Sequence, residues 1–582
     1  MNKDSNTSSS RRLKLWNKTT ITELLFLAIT LWIVNFLFFK TLGLYEDDYA
    51  FISQPLGWQL SDLINYLRIV LTWPQGRPIG TFIPHFLAFL GGKLGGLSTV
   101  YFFSFLIQTT NTYLFYFLLK RIGLTSSALL GALAFGLFPA DTTHILLMHS
   151  LGLHTALTFL LLASHFYLSD HKTLAYFFSL GSLLTYESPY MVFLAIPLLN
   201  QRWNKELVKE AVRHIIIWLG ILIVVVVIRA LIGESRIETI GSKPTDIISI
   251  FGQTMASLTL GPIISVGMFG YGPGRTLFHW NSKLTFIFLG FLPFLGWIIS
   301  QVKTDFIIKE NEYPFNLAIK MFSRKKKVHV SISHPQIFKL LAASLVMLSL
   351  SYGFSFTHFP PTALFGRMTS VHLAAAFGGS LLFACITSLF LTFAKSRFIK
   401  AITVIILTFY LSLMVTYRFS IQLDFIQAWL NERTFWTNII TKIPDISDGT
   451  IIFVIDQNLP ATHYILTNSW ADPIMLTQIF KFPKNWETPP RLFVVPQDWM
   501  NSIVEDGDKF LWKVPAATWK SHWETLPISN LILIEMEESE LVRRYGSIII
   551  NNKPFQLKTI SPNNIVDLKE GFLFSLLIQA LK

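Results

Sequence analysis

The sequence predicts a polytopic α-helical membrane protein of about eleven spans, followed by a C-terminal extracytoplasmic α/β domain. Three observations predict it. Of the 582 residues, 52% are hydrophobic and only 14% charged, and the apolar residues come in repeated long blocks. The Lys and Arg residues behind the net charge of +13 sit mainly in short loops between those blocks. That placement reads as a topology signal, not a nucleic-acid surface, because basic residues stay on the cytoplasmic side of a bilayer. Beyond residue 420 the composition turns soluble, with β-like runs at 451–455, 492–495 and 531–534.

Taken in order, residues 1–20 are a polar, then basic, cytoplasmic tail (Arg11, Arg12, Lys14, Lys18). The apolar run 21–42 is too long for a signal-peptide core and lacks a small-residue cleavage site, so it is expected to stay as an anchor. It delivers Glu46, Asp47 and Asp48 to the outer face. Residues 43–97 form a long structured outer loop. Within it Leu60, Leu63, Ile64, Leu67 and Leu71 share one helical face, as in a helix lying on the membrane surface. A break at Trp73 to Pro78 follows, then an interfacial piece interrupted by Pro84 and two Gly pairs.

Spans are expected at 98–119, 126–139 and 145–168. The block 173–200 is too long for one crossing and is broken at Tyr186-Glu187-Ser188-Pro189, so it reads as two half-helices that keep Arg202, Lys205, Lys209 and Arg213 inside. Glu187 then lies in the membrane, where an ionisable residue is a functional-site hypothesis by default. Further spans are expected at 214–232, 284–301, 336–356, 370–394 and 401–417, with 247–270 left on the outer face and the basic loop 303–334 inside. Arg229 and Arg418, near helix ends, are expected to snorkel. The single cysteine, Cys385, excludes an internal disulfide framework.

On this map Glu46, Asp47, Asp48, Arg77, Asp141, His144, Glu187, Arg275, His358 and Arg367 all reach one surface. Carboxylates can deprotonate a hydroxyl or hold a divalent cation, although nothing in the sequence requires a metal. Arginines suit phosphate oxygens. His144, His149 and His154 recur every five residues, which on a regular α-helix turns successive side chains well apart and disfavours a three-histidine metal site.

The acidic motif in a long first outer loop, the broken pair at Tyr186-Glu187-Ser188-Pro189, the many spans and the outer C-terminal domain together resemble the GT-C class of membrane glycosyltransferases. That class includes protein O-mannosyltransferases, the aminoarabinose transferases of lipid A and a large bacterial family that decorates cell-surface glycans. The resemblance covers the layout of residues 15–420. It implies that Asp47 or Asp48 acts as general base or metal ligand, and that Arg77 and Arg367 bind the phosphate of a polyprenyl-phosphate sugar. It also implies transfer, with inversion, to a glycan, lipid or protein acceptor at the outer face of the cell membrane. Three consecutive acids, where the family often has one or two, leave the choice of base open. A transporter or lipid flippase with its site around Glu187 and a non-catalytic surface-assembly protein are the alternatives; no internal repeat supports the first.

Overall fold

The structure is a computed structural model describing residues 18–200, 203–234, 244–301, 334–355, 361, 366–394, 396–455, 472–506, 509–513, 523–527, 529–537, 540–560, 566–569 and 571–578. Among these, seven helices are long and apolar enough to cross a membrane: Thr19–Thr41, His149–Leu168, Lys205–Leu231, Ile248–Phe278, Ser282–Ser300, Ala375–Phe393 and Arg397–Lys442. The basic stretches 11–17 and 303–333 lie outside the described residues.

Several expected crossings take another form. Leu97–Arg121 is a 25-residue helix, but Ser104, Gln108, Thr109, Asn111 and Thr112 turn inward from it, so it carries a buried polar stripe. Ala128–Gly136 is nine residues long, too short to span alone. The 173–200 block does break where expected, into Lys172–Thr185 and Glu187–Phe193, with Tyr186 extended between them. The apolar helix Pro335–Leu350 falls short of a full crossing by length. Conversely, the segment 247–270, expected to stay on the outer face, lies within one 35-residue helix, Pro244–Phe278, which accommodates Pro262 and Pro273 and is long and apolar enough to cross a membrane. Two of its glycines serve close packing: a Cβ on Gly261 would enter the Tyr352 ring at 2.4 Å, and one on Gly272 would lie 2.8 Å from the Tyr417 ring.

Residues 43–97, expected as an outer loop, are helical and packed. Leu60–Val70 starts with a reciprocal cap between Gln59 and Asp62 and buries Leu63, while Leu60, Ile64, Leu67 and Leu71 stay exposed as an open apolar face. Pro78–Leu94, expected as an interrupted interfacial piece, is instead one continuous helix. Its glycines mark close approach. A Cβ on Gly80 would lie 2.3 Å from the Thr185 carbonyl oxygen, and one on Gly92 2.1 Å from that of Leu56.

The first span contains a π turn at Trp32–Phe36, which frees backbone groups of their helical partners. The Gln422 side chain, 384 residues on from Phe38, meets both needs: it accepts from the Phe38 N–H at 2.8 Å and donates to the Ile33 carbonyl at 3.0 Å. Gln422 lies on Arg397–Lys442, a single 46-residue helix. The domain boundary expected near residue 420 falls inside it, and the first strand begins only at Ile451.

The C-terminal region is strand-rich. The three apolar runs read from the sequence become β1 (Ile451–Ile455), β2 (Arg491–Val495) and, after β3 (Ile503–Asp506), β4 (Lys509–Lys513) and β5 (Trp523–Leu526), β6 (Leu531–Glu537). β2, β1 and β6 pair in parallel, and β7 (Glu540–Arg544) closes the sheet antiparallel to β6. β3, β4 and β5 form an antiparallel meander, and β8 (Ser547–Ile550) and β9 (Lys553–Gln556) form a hairpin. Asn551 and Asn552, at φ 50° and 63°, make its two-residue turn.

Candidate functional site

After the first span the chain is pinned in an extended stretch before it reaches the acids. Gly43 lies against Trp429, where a Cβ would come within 1.9 Å of the ring. The Tyr45 hydroxyl donates to the Phe425 carbonyl at 2.9 Å, and that of Tyr101 to the Gly43 carbonyl at 2.8 Å. Glu46 then adopts φ 46°, a left-handed conformation unusual for a residue with a Cβ, and a short helix, Asp48–Phe51, follows.

The three acids have different surroundings. Asp48 is fully buried, and its carboxylate accepts three backbone N–H groups: Tyr45 at 3.3 Å, Leu147 at 3.1 Å and Met148 at 2.7 Å. Burial pushes this carboxyl up to about 7 against the pull of those amides. Asp48 thus fastens the acidic loop to a turn about 100 residues away. Asp47 approaches Arg367, Oδ2 to Nη2, at 3.3 Å, while its Oδ1 has no hydrogen-bond partner among the described residues. Glu46, 1% exposed, has Arg367 Nε at 3.9 Å and no hydrogen bond to either carboxylate oxygen among the described residues. Burial raises both carboxyls above their usual range, and Arg367 opposes it. Glu432, on the long helix Arg397–Lys442, adds to the rise at Glu46. One guanidinium therefore serves a cluster of buried acids.

Arg367 is aimed by its own turn. Gly366 sits at φ 88° and leads into the 3₁₀ turn Arg367–His372. The Gly366 N–H donates to Thr142 Oγ1 at 2.9 Å, and Thr369 Oγ1 accepts from the Thr142 N–H at 3.0 Å. Asp141, next in the chain, accepts from the Thr143 N–H at 2.9 Å and hydroxyl at 2.7 Å, as in an Asx turn. Its other oxygen lies 3.6 Å from His154 Nε2. His144 is buried, with no hydrogen bond to either ring nitrogen among the described residues. Burial, then Arg418 and His154, hold it well below the usual histidine range, so it is neutral. His154 follows a π turn, His149–Leu153, and the regular α-helical spacing assumed from sequence therefore does not apply.

Arg77 and Glu187 form a second assembly. Arg77 meets Glu187 Oε2 through Nε at 2.9 Å and Nη2 at 2.6 Å, and it lies 4.6 Å from the centre of the Tyr186 ring. Arg229 reaches Glu187 Oε1 at 2.9 Å and donates twice to the Gly76 carbonyl, at 3.0 and 2.6 Å. Arg229, expected to snorkel, is thus buried and inward-facing. Arg418 is likewise buried, donating to the carbonyls of Phe138 and Asp141. Irregular turns leave those carbonyls without helical partners, and a guanidinium supplies them. An arginine within an apolar helix is the signal that could have marked both.

Truncating Glu187 to alanine would leave two largely buried arginines without their shared carboxylate. The expected cost is about 3–5 kcal/mol, read as a lower thermal unfolding midpoint of the purified protein. An unchanged midpoint would show that the triad carries no such weight.

Of the remaining sequence candidates, Arg275 lies near the end of Pro244–Phe278, close enough to Tyr417 and Asp424 to act on them electrostatically. His358 lies outside the described residues. The sequence gives no sign of Glu432, because only folding brings the far part of the helix Arg397–Lys442 to residue 46. Among the described residues no group of three or more His, Cys, Asp or Glu side chains is arranged to hold a metal ion. Glu46 and Asp47 face a guanidinium instead. No family model matches the chain, and no curated protein matches it.

Proposed function

We propose that the protein is a membrane glycosyltransferase that moves a sugar from a polyprenyl-phosphate donor to a hydroxyl of a cell-surface acceptor, with inversion, at the outer face of the membrane. The observation that carries this reading is the pairing of a buried carboxylate, Asp47, with a guanidinium, Arg367, just past the end of an apolar helix. The chemistry needs little more than these two groups. Arg367 neutralises the donor phosphate, which departs as a stable anion. Asp47 takes the proton of the acceptor hydroxyl as its oxygen attacks the anomeric carbon from the face opposite the phosphate. The new glycosidic bond forms as the bond to the phosphate oxygen breaks, and the electron pair leaves with polyprenyl phosphate.

Asp47 is the base in this scheme and Asp48 a positioning residue. Asp48 spends its oxygens on three backbone amides, whereas Asp47 keeps one oxygen free of hydrogen bonds among the described residues. A raised carboxyl pKa also makes Asp47 a better proton acceptor than an ordinary aspartate. The acid-rich surroundings of Arg367 keep it oriented until a phosphate competes for it. Membrane lipids surround the apolar helices, and the strand-rich region lies on the acceptor side.

The test is acceptor-dependent release of polyprenyl phosphate by the purified protein in lipid, across a panel of polyprenyl-phosphate sugars. No release from any donor counts against the proposal. The pH profile gives a second check. Asp47 works deprotonated and its pKa is raised, so kcat/KM should fall on acidification with a midpoint above the ordinary aspartate value of about 3.9. A midpoint at or below that value would remove Asp47 as the base.

A further inference from the structure

A surface cavity of about 460 Å³ lies on the strand-rich region, walled by aromatic rings and two lysines. The helix Asp472–Ile479 runs directly into it. Phe480 bridges Leu568, the Lys481 N–H donates to the Asp567 carbonyl at 2.8 Å, and the Lys569 N–H donates to that of Ile479 at 2.7 Å. These bonds hold two short antiparallel segments that place Lys481 and Lys569 in the cavity wall. The turn closed by the Trp486 N–H on the Pro483 carbonyl, at 3.2 Å, folds Trp486 back over Phe482. Their ring centres are 5.1 Å apart and 24° from parallel, and Phe480 continues the row 6.2 Å beyond Phe482 at 8°.

The result is a row of nearly parallel rings, buried at Phe480 and partly open at Phe482 and Trp486, with two exposed lysines beside it. Phe482 and Trp486 are half-buried, so their rings remain partly open. No carboxylate lines the cavity among the described residues, although Glu487 and Asp567 flank it in the chain. Flat rings suit the C–H face of a pyranose, and lysine ammoniums suit carboxylate or phosphate oxygens as point charges. The volume falls within the range of small-molecule sites. The cavity is also tied to the acidic loop. Gln478, the neighbour of the lining residue Thr477, is hydrogen-bonded to Ser53 at 3.0 Å and donates to the Tyr49 carbonyl at 3.5 Å. Tyr49 directly follows Asp48.

We propose that this cavity binds an anionic saccharide, with sugar faces on the Phe482–Trp486 strip and the acidic groups at Lys481 and Lys569. Its role as a hold on the acceptor glycan rests on the transferase reading above; the binding itself does not. The test is isothermal titration of the full-length protein in detergent with tetragalacturonate, against neutral maltotetraose and the peptide tetraglutamate.

Tetragalacturonate should bind most tightly and lose affinity as salt rises. Trp486→Ala should weaken it about tenfold. The paired substitution Lys481→Gln and Lys569→Gln should weaken it and remove most of the salt dependence. Both lysines are exposed, so this variant reports even if the tryptophan variant fails to fold. Equal binding of maltotetraose, equally tight tetraglutamate, or an unchanged affinity in the lysine variant would each overturn the proposal. Asp47→Asn should keep tetragalacturonate binding while sugar transfer falls by about 10²-fold or more. A protein that binds tetragalacturonate yet transfers no sugar from any donor would sink the transferase reading and leave the cavity standing.

Discussion

Replacing Asp47 by asparagine should lower sugar transfer by about 10²- to 10⁴-fold, the range a positioned general base contributes. The substitution keeps the size of the side chain and can still meet Arg367, but it removes the group proposed to take the hydroxyl proton. Binding of the product, polyprenyl phosphate, should survive, because the arginine is untouched. The informative comparison is Asp48→Asn. An amide has one acceptor oxygen where Asp48 now accepts three backbone N–H groups, so at least one buried N–H loses its partner. That change should cost about 1–3 kcal/mol of stability. Transfer that is near normal in Asp47→Asn, measured on folded protein, would end the assignment of Asp47 as base.

Arg367→Ala should lower transfer by about 10²- to 10³-fold, the scale seen when one charge-stabilising donor is removed. Unlike the Asp47 change, it should also weaken binding of polyprenyl phosphate. A second effect follows from burial. Glu46 loses the cation that opposes the rise in its pKa, so it should take up a proton at higher pH than it does in the intact protein. Lysine at this position restores charge but not the planar fork, and should recover only part of the activity. Unchanged product binding in Arg367→Ala would place the phosphate elsewhere.

Much of this arrangement is legible in the sequence, and the parts that are not share a cause. The first span, the surface helix over Leu60–Val70, the break at Tyr186 and the apolar runs of β1, β2 and β6 all follow from local pattern. Each is set by periodicity or by residues adjacent in the chain. The roles of Arg229 and Gln422 are not local: Arg229 finds its carbonyl 153 residues away, and Gln422 finds Phe38 384 residues away. No periodicity encodes such pairs. The continuous helices Pro78–Leu94 and Pro244–Phe278 were hidden by their prolines and glycines, which read as interruptions. In the fold several of those glycines are contact points, where a bare Cα lets another segment come close. The acids fell between these cases. Their position past a span was readable, but the division of labour among Glu46, Asp47 and Asp48 needed the amides of residues 147 and 148.

The 46-residue helix Arg397–Lys442 is about 69 Å long at 1.5 Å per residue, more than twice the thickness of a hydrocarbon core. It works as a mast. The strands join its far end, where the Lys442 carbonyl accepts from Arg543 of β7 at 3.0 Å, and the same helix carries Trp429 against Gly43 and Glu432 toward Glu46. A change in its tilt would therefore reach the acidic loop and the strands together.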